Sequence, residues 1–435
     1  MHRRLHIAMV GVPAVSHVLP SLEIIRELVD RGHRVTYAND PAGRIGELIA
    51  STGAETVPFT TTLPTGDEEW ANDPIEGMDI FLDDAINSLP VLREAYADDR
   101  PDVFLYDIGG YSARVLGINW GIPTVQLSPS YVAYADYWDS VLGWLRAQPG
   151  ATEHYAKFDA WLDENGVTEL DHAGFAGVPD RALAMIPREM QPHADTVSDA
   201  VTFVGPCLGG REHQGTWSRP AHAERVLLVS LGSAYTKQPG FYRECVKAFG
   251  GLPGWHVVLQ VGQHVAADDL GEVPAGVEVR SWVPQLDILR QADAFVTHAG
   301  MGGSSEGLYT ATPMIAVPQA VDQFDNADRL RELGVARRID TEDATAGSLR
   351  TALLELTSTP EVAERLSGIS ARLQASGTAY AADLVEAEAA KERAAERARF
   401  LLDTVSARRS GLQAHPPGDE EVAQDVGPRG PHPLQ

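Results

Sequence analysis

The chain has 435 residues, 44% hydrophobic and 22% charged, which is core material for two domains or three and rules out a wholly disordered polymer. Its 61 Asp and Glu against 35 Lys and Arg leave a formal net charge of -26. Such a field repels nucleic acid and anionic membrane surfaces, so any phosphate-bearing ligand has to be held by local groups.

Two cysteines, Cys207 and Cys245, make neither a disulfide framework nor a zinc-site spacing. They read as free thiols of a reducing cytoplasm. The apolar run that follows Met1-His2-Arg3-Arg4 has only strand length, is soon met by Pro13 and His17, and has no small-residue cleavage site. No stretch approaches the roughly 18 apolar residues that span a bilayer. A cytoplasmic protein is expected.

In chain order, Leu5–Val12 reads as a buried strand. Leu19–Arg31 reads as an amphipathic helix, with Leu19, Leu22, Ile25, Leu28 and Val29 on one face and Gly32 as its stop. A strand over His33–Ala38, a helix over Pro41–Ser51 and a strand over Thr56–Phe59 follow. Asp102–Ile108 and Thr124–Ser128 repeat the strand signal with a helix between them. Strands spaced by helices predict a parallel sheet with helices on both faces. Thr60–Ile80 breaks the rhythm and reads as a binding loop or lid. The aromatic set Tyr134, Tyr137, Trp138 and Trp144 has helical spacing and, on spacing alone, reads as core.

A second rhythm starts near Arg225, with strands at Val226–Leu231, His256–Val261, Val277–Val279, Ala294–Thr297 and Met314–Val317. Gly205–His222 has linker chemistry. The domains predicted are 1–208 and 225–378, each Rossmann-like, joined by a linker over 209–224. A helix over 379–408 and a disordered, Pro-rich tail over 409–435 complete the chain. A groove between two such sheets is the default ligand site.

The strongest chemistry lies in the second half. The strand Ala294–Thr297 runs into His298-Ala299-Gly300-Met301-Gly302-Gly303-Ser304-Ser305-Glu306, and a helix is predicted from Gly303. The first N–H groups of a helix are unpaired, its dipole adds positive potential, and glycines admit close backbone approach. This makes an anion cradle fit for a diphosphate, with His298 as a further donor. No Gly-Lys-Ser/Thr is present and the Gly-x-Gly-x-x-Gly spacing fails, which disfavours an NTPase or a dehydrogenase.

Trp282 through Gln323 resembles the donor-binding motif of UDP-dependent glycosyltransferases of the GT-B fold. The resemblance runs from Leu5 to about Glu388 and is closest to the macrolide glycosyltransferases, which glucosylate and inactivate macrolide antibiotics. Val229-Ser230-Leu231-Gly232-Ser233-Ala234, Pro318-Gln319-Ala320-Val321-Asp322-Gln323, Tyr242-Arg243-Glu244-Cys245-Val246 and Ser112-Ala113-Arg114-Val115-Leu116 carry it too. It implies an α/β protein of GT-B fold, two Rossmann-like domains facing across a cleft, with the C-terminal helix crossing back to the first domain.

The same resemblance assigns roles. Trp282 stacks on uracil, a task suited to an aromatic ring. Val283 offers backbone groups to its edge and Gln285 helps there or at the ribose, whose hydroxyls bond to Glu306. Ser230, Gly232 and Ser233 line the phosphate side. Gly300, Gly302, Gly303 and Ser304 hold the diphosphate with His298. Asp322 and Gln323 bind hydroxyls of the sugar, although Asp322 alone reads as a helix N-cap. His17, in Gly11-Val12-Pro13-Ala14-Val15-Ser16-His17, follows the first strand at its ligand-bearing end and becomes the general base. Asp107 ends a strand that can lie beside the first and would fix the His17 tautomer, the alternative being a cap for the next helix.

The expected function is inverting transfer of glucose from UDP-glucose to a hydroxyl of a macrolide antibiotic, for inactivation or self-resistance. The alternative is a biosynthetic transferase acting on another polyketide or phenolic aglycone, with another nucleotide sugar. UDP-glucose serves as cosubstrate, with no tightly bound cofactor and no essential metal. The adjacent pairs Asp83-Asp84 and Asp98-Asp99 read as solvated helix faces. The partners are the UDP-sugar and a lipophilic acceptor, with no nucleic acid and no stable membrane insertion; a homodimer stays open. Tyr131, Tyr134, Trp138 and Phe81 are candidates for the acceptor wall.

Overall fold

Strand and helix alternate from the N-terminus because short, continuously apolar runs are separated by amphipathic ones. The computed structural model describes residues 3–391 apart from 42, 65–72, 136, 138–140, 210–213, 233–235 and 376. The first half runs β1 (His6–Val10), α1 (Val15–Asp30), β2 (Arg34–Asn39), α2 (Gly43–Ala50), β3 (Glu55–Pro58), α3 (Pro74–Ala95), β4 (Val103–Asp107), α4 (Tyr111–Trp120) and β5 (Thr124–Ser128). It continues with α5 (Gly143–Arg146), α6 (Ala151–Glu164), α7 (His172–Gly177), β6 (Ala182–Ala184) and β7 (Val201–Phe203). The seven strands pair in parallel in the order β3-β2-β1-β4-β5-β6-β7.

The second half runs β8 (Arg225–Ser230), α8 (Pro239–Phe249), β9 (Trp255–Gln260), β10 (Val277–Arg280), α9 (Gln285–Leu289), β11 (Ala294–Thr297), α10 (Met301–Tyr309) and β12 (Met314–Ala316). It ends with α11 (Gln323–Glu332), β13 (Ala336–Arg338), α12 (Ala346–Ser358) and α13 (Pro360–Gln374). Its six strands are again parallel, in the order β10-β9-β8-β11-β12-β13. Central strands such as β1, β4, β8 and β11 are buried along nearly their whole length, as helices on both faces require.

Several elements depart from the sequence expectation. Helix α1 begins at Val15, so His17 lies in its first turn rather than in the preceding loop; Pro20 is accommodated inside at the loss of one backbone bond. The irregular segment expected to reach Ile80 stops at Asp73, whose side chain accepts from the Ile75 and Glu76 N–H groups, with Pro74 at the first helical position. Asp73-Pro74-Ile75-Glu76 is a helix start legible in the sequence. Asp83 lies on α3 as expected, but Asp98 and Asp99 lie in the bend after it. Within 133–145, Tyr137, a short wider turn at 141–142 and α5 are helical among the described residues, while 133–135 are not. Helix α10 begins at Met301, two residues before Gly303. Trp138, 65–72 of the expected loop, 210–213 of the linker, the helix beyond 391 and the tail after Arg408 lie outside the described residues.

Residues 1–389 make one compact unit that contains both sheets. Within it, residues 378–389 are helical, and Ala381, Ala382, Val385 and Ala389 share a core with Ile7, Met9, Leu22 and Val125 of the first sheet layer. The helix is clamped by charge as well. Arg31 donates to Asp383 at 2.6 Å, to Glu386 at 3.1 Å and to the Ala379 carbonyl at 3.0 Å. His33 Nδ1 accepts from the Leu5 N–H, so its Nε2 carries the proton that is given to Glu386 at 3.0 Å. Of the second unit, 390–435, Ala390 and Lys391 are described, and both are helical. No described helix is long and apolar enough to cross a membrane.

The docked face is testable. Val385→Asp puts a carboxylate among apolar side chains and is expected to cost about 3 kcal/mol or more, read as a lowered melting temperature. Tyr380→Asp, on the exposed side of the same helix, should stay within about 0.5 kcal/mol of wild type.

Candidate active site

In each sheet the strand order reverses between two central neighbours, β1 and β4 in the first, β8 and β11 in the second. Chains leaving such a pair at their carboxyl ends diverge to opposite faces and leave a crevice. A cavity of about 440 Å³ lies between the loops that leave these four strands. His17 and Ile108 line it from the first half. Gly232, Trp282, Val283, Gln285, His298, Gly300, Gly302, Gly303, Glu306, Asp322 and Gln323 line it from the second.

His17 stands in the first turn of α1, just past β1, and Asp107 is the last residue of β4. Their strands are hydrogen-bonded neighbours, with Val10 opposite Tyr106. His17 Nδ1 therefore meets Asp107 Oδ2 at 2.8 Å. The other Asp107 oxygen accepts the Ile108 N–H, and α4 follows the N-cap Gly110 with no side-chain cap. Asp107 thus serves His17 and not the helix. An acceptor at Nδ1 places the proton there and leaves the Nε2 lone pair for the cavity. Burial lowers the His17 pKa, but the charge and hydrogen bond of Asp107 outweigh it, with help from Asp322, and the net shift is upward.

The second-half turn is built around one buried imidazole. A Cβ on Gly232 would come to 2.6 Å from His298 Cε1, and one on Gly300 would strike His298 Nε2. Both glycines therefore let the backbone close on the ring, and Gly232 also has φ +80°. Burial pushes the His298 pKa down to about 4, so the ring is neutral near pH 7. Its Nδ1 has no partner among the described residues. Ala299 takes φ +60°, which turns the chain into α10, and the Met301, Gly302 and Gly303 N–H groups are left without helical acceptors. Gln285 Nε2 donates to Glu306 Oε2 at 2.8 Å and fixes that buried carboxylate at the cavity edge.

Not every predicted residue reaches the cavity. Ser230 is fully buried; its hydroxyl donates to Gln260 and accepts the Gly232 N–H, so it braces the turn from behind. Ser304 is fully buried too, and the adjacent Ser305 lines the cavity in its place. The two-residue earlier start of α10 explains the miss, because each residue turns the helix by about 100°. Ser233 lies outside the described residues.

Asp322 precedes α11 but makes no cap; it accepts from Asn326 Nδ2 at 2.9 Å. Burial raises its pKa. Gln323 uses its side-chain oxygen to accept from the Gln319 and Ala320 N–H groups, which holds the loop. Val321 before them has φ +44° and is 72% exposed, a strained conformation for a β-branched residue beside the cavity.

A second cavity, about 640 Å³, opens in the first half and shares Ile108 with the first. Phe81, Tyr131 and Tyr134 line it, and Tyr137 joins them, so these tyrosines form pocket wall rather than core. Trp144 is exposed instead. Tyr111, Tyr155, Phe158 and His172 complete the aromatic wall and were not anticipated. For Tyr155 and Phe158 the signal was the buried face Ala151, His154, Tyr155, Phe158, Trp161 and Leu162 at helical spacing along α6; Tyr111 and His172 are the first residues of α4 and α7. Arg114, wholly buried, donates to the Phe175 and Val178 carbonyls at the end of α7 and so holds another wall. Among the described residues, no group of three or more His, Cys, Asp and Glu is placed to hold a metal.

Residues 186–371 match the family described as UDP-glucoronosyl and UDP-glucosyl transferase. The chain is 57% identical over 392 residues to the oleandomycin glycosyltransferase of Streptomyces antibioticus, covering 88% of this chain and 90% of that one. Among solved structures, the glycotransferase of kitacinnamycin superposes with a TM-score of 0.83 at 53% identity, over 89% of this chain and 100% of that chain. The calicheamicin glycosyltransferase CalG4 superposes with a TM-score of 0.79 at 29% identity, over 89% and 98%.

The imidazole sandwich makes a test. Gly300→Ala should push the His298 ring toward the cavity and weaken UDP binding by about tenfold or more, measured by calorimetry. Gly240→Ala on α8, where an added Cβ meets nothing within 4 Å, should leave the affinity unchanged.

Proposed function

This chain belongs to the UDP-glucuronosyl and UDP-glucosyl transferase family, and we propose that it is an inverting enzyme carrying glucose from UDP-glucose to a hydroxyl of a macrolide. One observation carries the reading: the His17–Asp107 pair and the α10 turn border one cavity from opposite halves. A base on one side and an anion cradle on the other suit in-line displacement at a carbon held between them.

The donor would lie in the second half. Trp282 would stack on uracil, Val283 would meet its edge, and Glu306, held by Gln285, would accept from the ribose hydroxyls. The diphosphate would face the free N–H groups of Met301, Gly302 and Gly303 and the neutral His298 ring. Asp322 and Gln323 would hold the glucose. The acceptor would fill the aromatic cavity and bring a hydroxyl past Ile108 to His17. As the acceptor oxygen bonds to the anomeric carbon, His17 Nε2 takes its proton. The bond from that carbon to the diphosphate oxygen breaks, its electron pair leaves with UDP, and configuration inverts. Asp107 steadies the imidazolium that forms. The α10 turn meets the charge gathering on the leaving oxygen. The 57% identity to an oleandomycin transferase supports a macrolide as acceptor, and antibiotic inactivation in a bacterial cytoplasm follows from that reading.

A panel of UDP- and dTDP-sugars assayed against macrolides and phenolics tests the assignment; no glucose transfer from UDP-glucose to any macrolide would refute it. His17→Ala should lower turnover by more than about 100-fold while UDP affinity is kept. The pH profile has a definite sign. A base with a raised pKa loses activity on acidification earlier than an ordinary imidazole would. The acid limb of kcat/KM should therefore lie above about pH 6.5. Asp107→Asn removes the charge that raises the pKa, so the limb should move to lower pH while the plateau rate falls. A limb that stays in place would disqualify His17 as the titrating base.

A further inference from the structure

Tyr131 belongs to the wall of the first-half cavity, yet its hydroxyl bonds across the cleft. The Tyr131 O–H donates to Asn326 Oδ1 at 2.5 Å, and Asn326 Nδ2 donates to Asp322 Oδ2 at 2.9 Å. The direction is set by chemistry. A carboxylate can only accept, so it turns the Asn326 amide nitrogen toward itself and presents the amide oxygen to the phenol. Asn326 is fully buried, so neither bond is exchanged readily for water. Burial, with the charges of Asp322 and Asp325, keeps the Tyr131 phenol protonated and donating.

The first-half end of this chain is anchored. Gln191 accepts the Val132 N–H and donates to the Val132 carbonyl, both at 3.0 Å, which pins the backbone next to Tyr131. The same short segment supplies Glu189, whose carbonyl accepts from Arg329 of α11 at 2.6 Å. Tyr131 can therefore meet Asn326 only while α11 lies against the first half. The groups assigned to uracil, ribose and diphosphate all come from the second half alone.

We propose that Tyr131 is a positioning residue for the donor sugar, acting through Asn326 to aim the Asp322 carboxylate, so that the sugar end of the donor site is completed from the acceptor wall when the cleft is closed. This rests on the reading of the cleft as a UDP-sugar site. Nucleotide binding does not need the relay, whereas sugar alignment does. An acceptor that seats against Tyr131 supports the contact that aligns the donor.

The test is a double-variant cycle with wild type, Tyr131→Phe, Asp322→Asn and both together. Calorimetry with UDP and initial rates with UDP-glucose and a macrolide are the readouts. Tyr131→Phe should lower kcat/KM for UDP-glucose by about tenfold or more, the scale of a hydrogen bond feeding a charged group. UDP affinity, which also reports folding, and the acceptor KM should stay within about twofold, and the substitution should have no further effect in the Asp322→Asn background. Losses that multiply in the double variant, lost UDP binding, or a change confined to the acceptor KM would each overturn the proposal. A wild type that does not use UDP-glucose refutes the donor assignment instead, and the cycle is then read with the UDP- or dTDP-sugar it does use.

Discussion

The site depends on which strands are neighbours. Parallel sheets deliver all their carboxyl ends to one edge, and a crevice opens only where the order reverses. Placing β4 beside β1 puts Asp107 within hydrogen-bonding reach of His17, 90 residues away in sequence. Placing β11 beside β8 does the same for Gly232 and His298. Neither pair is local in sequence, so neither exists until its sheet has formed. The buried strands that stabilise the fold are thus the same elements that assemble the chemistry.

That constraint also resolves the conflict between a charge of -26 and an anionic ligand. Among the described residues, no Lys or Arg lines the cleft cavity. The groups offered to an anion are dipoles: backbone N–H groups at the start of α10 and a neutral imidazole. Dipoles fixed by the fold need no reorganisation as charge develops, which suits a leaving group better than a mobile cation. A neutral His298 follows from its burial between two glycine backbones. Any side chain at Gly300 or Gly232 would open that sandwich and forfeit the geometry.

The sequence carried most of this because the relevant residues sit at punctuation. His17 and Asp107 flank strand ends, and the glycines of the α10 turn mark a chain reversal, so residue type and position point the same way. What was missed has physical causes. Strands β6, β7 and β13 have three residues each, too short for any period to register, whereas the equally short β12 was legible because Val317 prolongs its apolar run. Pro20 masked the true start of α1, and Asp73-Pro74 was read as loop chemistry when it was a cap. The phase of α10 turns on whether Met301 or Gly303 is its first residue, and a flexible glycine run hides that choice. Ser304 and Ser305 exchanged places for this reason. The aromatic cavity was legible in Tyr131 and Tyr134 but not in Tyr111 or His172, each the first residue of its own helix and brought to the cavity only by the folded sheet.

The contact of Tyr131 with Asn326 lay beyond sequence reading altogether, since it joins an irregular segment to the first turn of a helix 195 residues on. It matters because the two cavities otherwise share only Ile108 among their lining residues: the aromatic one is lined by the first half alone, the cleft cavity by both halves. A transferase that holds an activated sugar must avoid giving it to water. An arrangement in which the nucleotide binds to one half, while the sugar is aimed by a residue of the other, ties alignment to closure. Closure in turn excludes water from the bond that breaks. The strained Val321 sits at the joint of this arrangement, immediately before Asp322. A backbone held at φ +44° for a β-branched residue persists only where surrounding bonds over-determine it, and here Gln323, Asn326 and Tyr131 supply them.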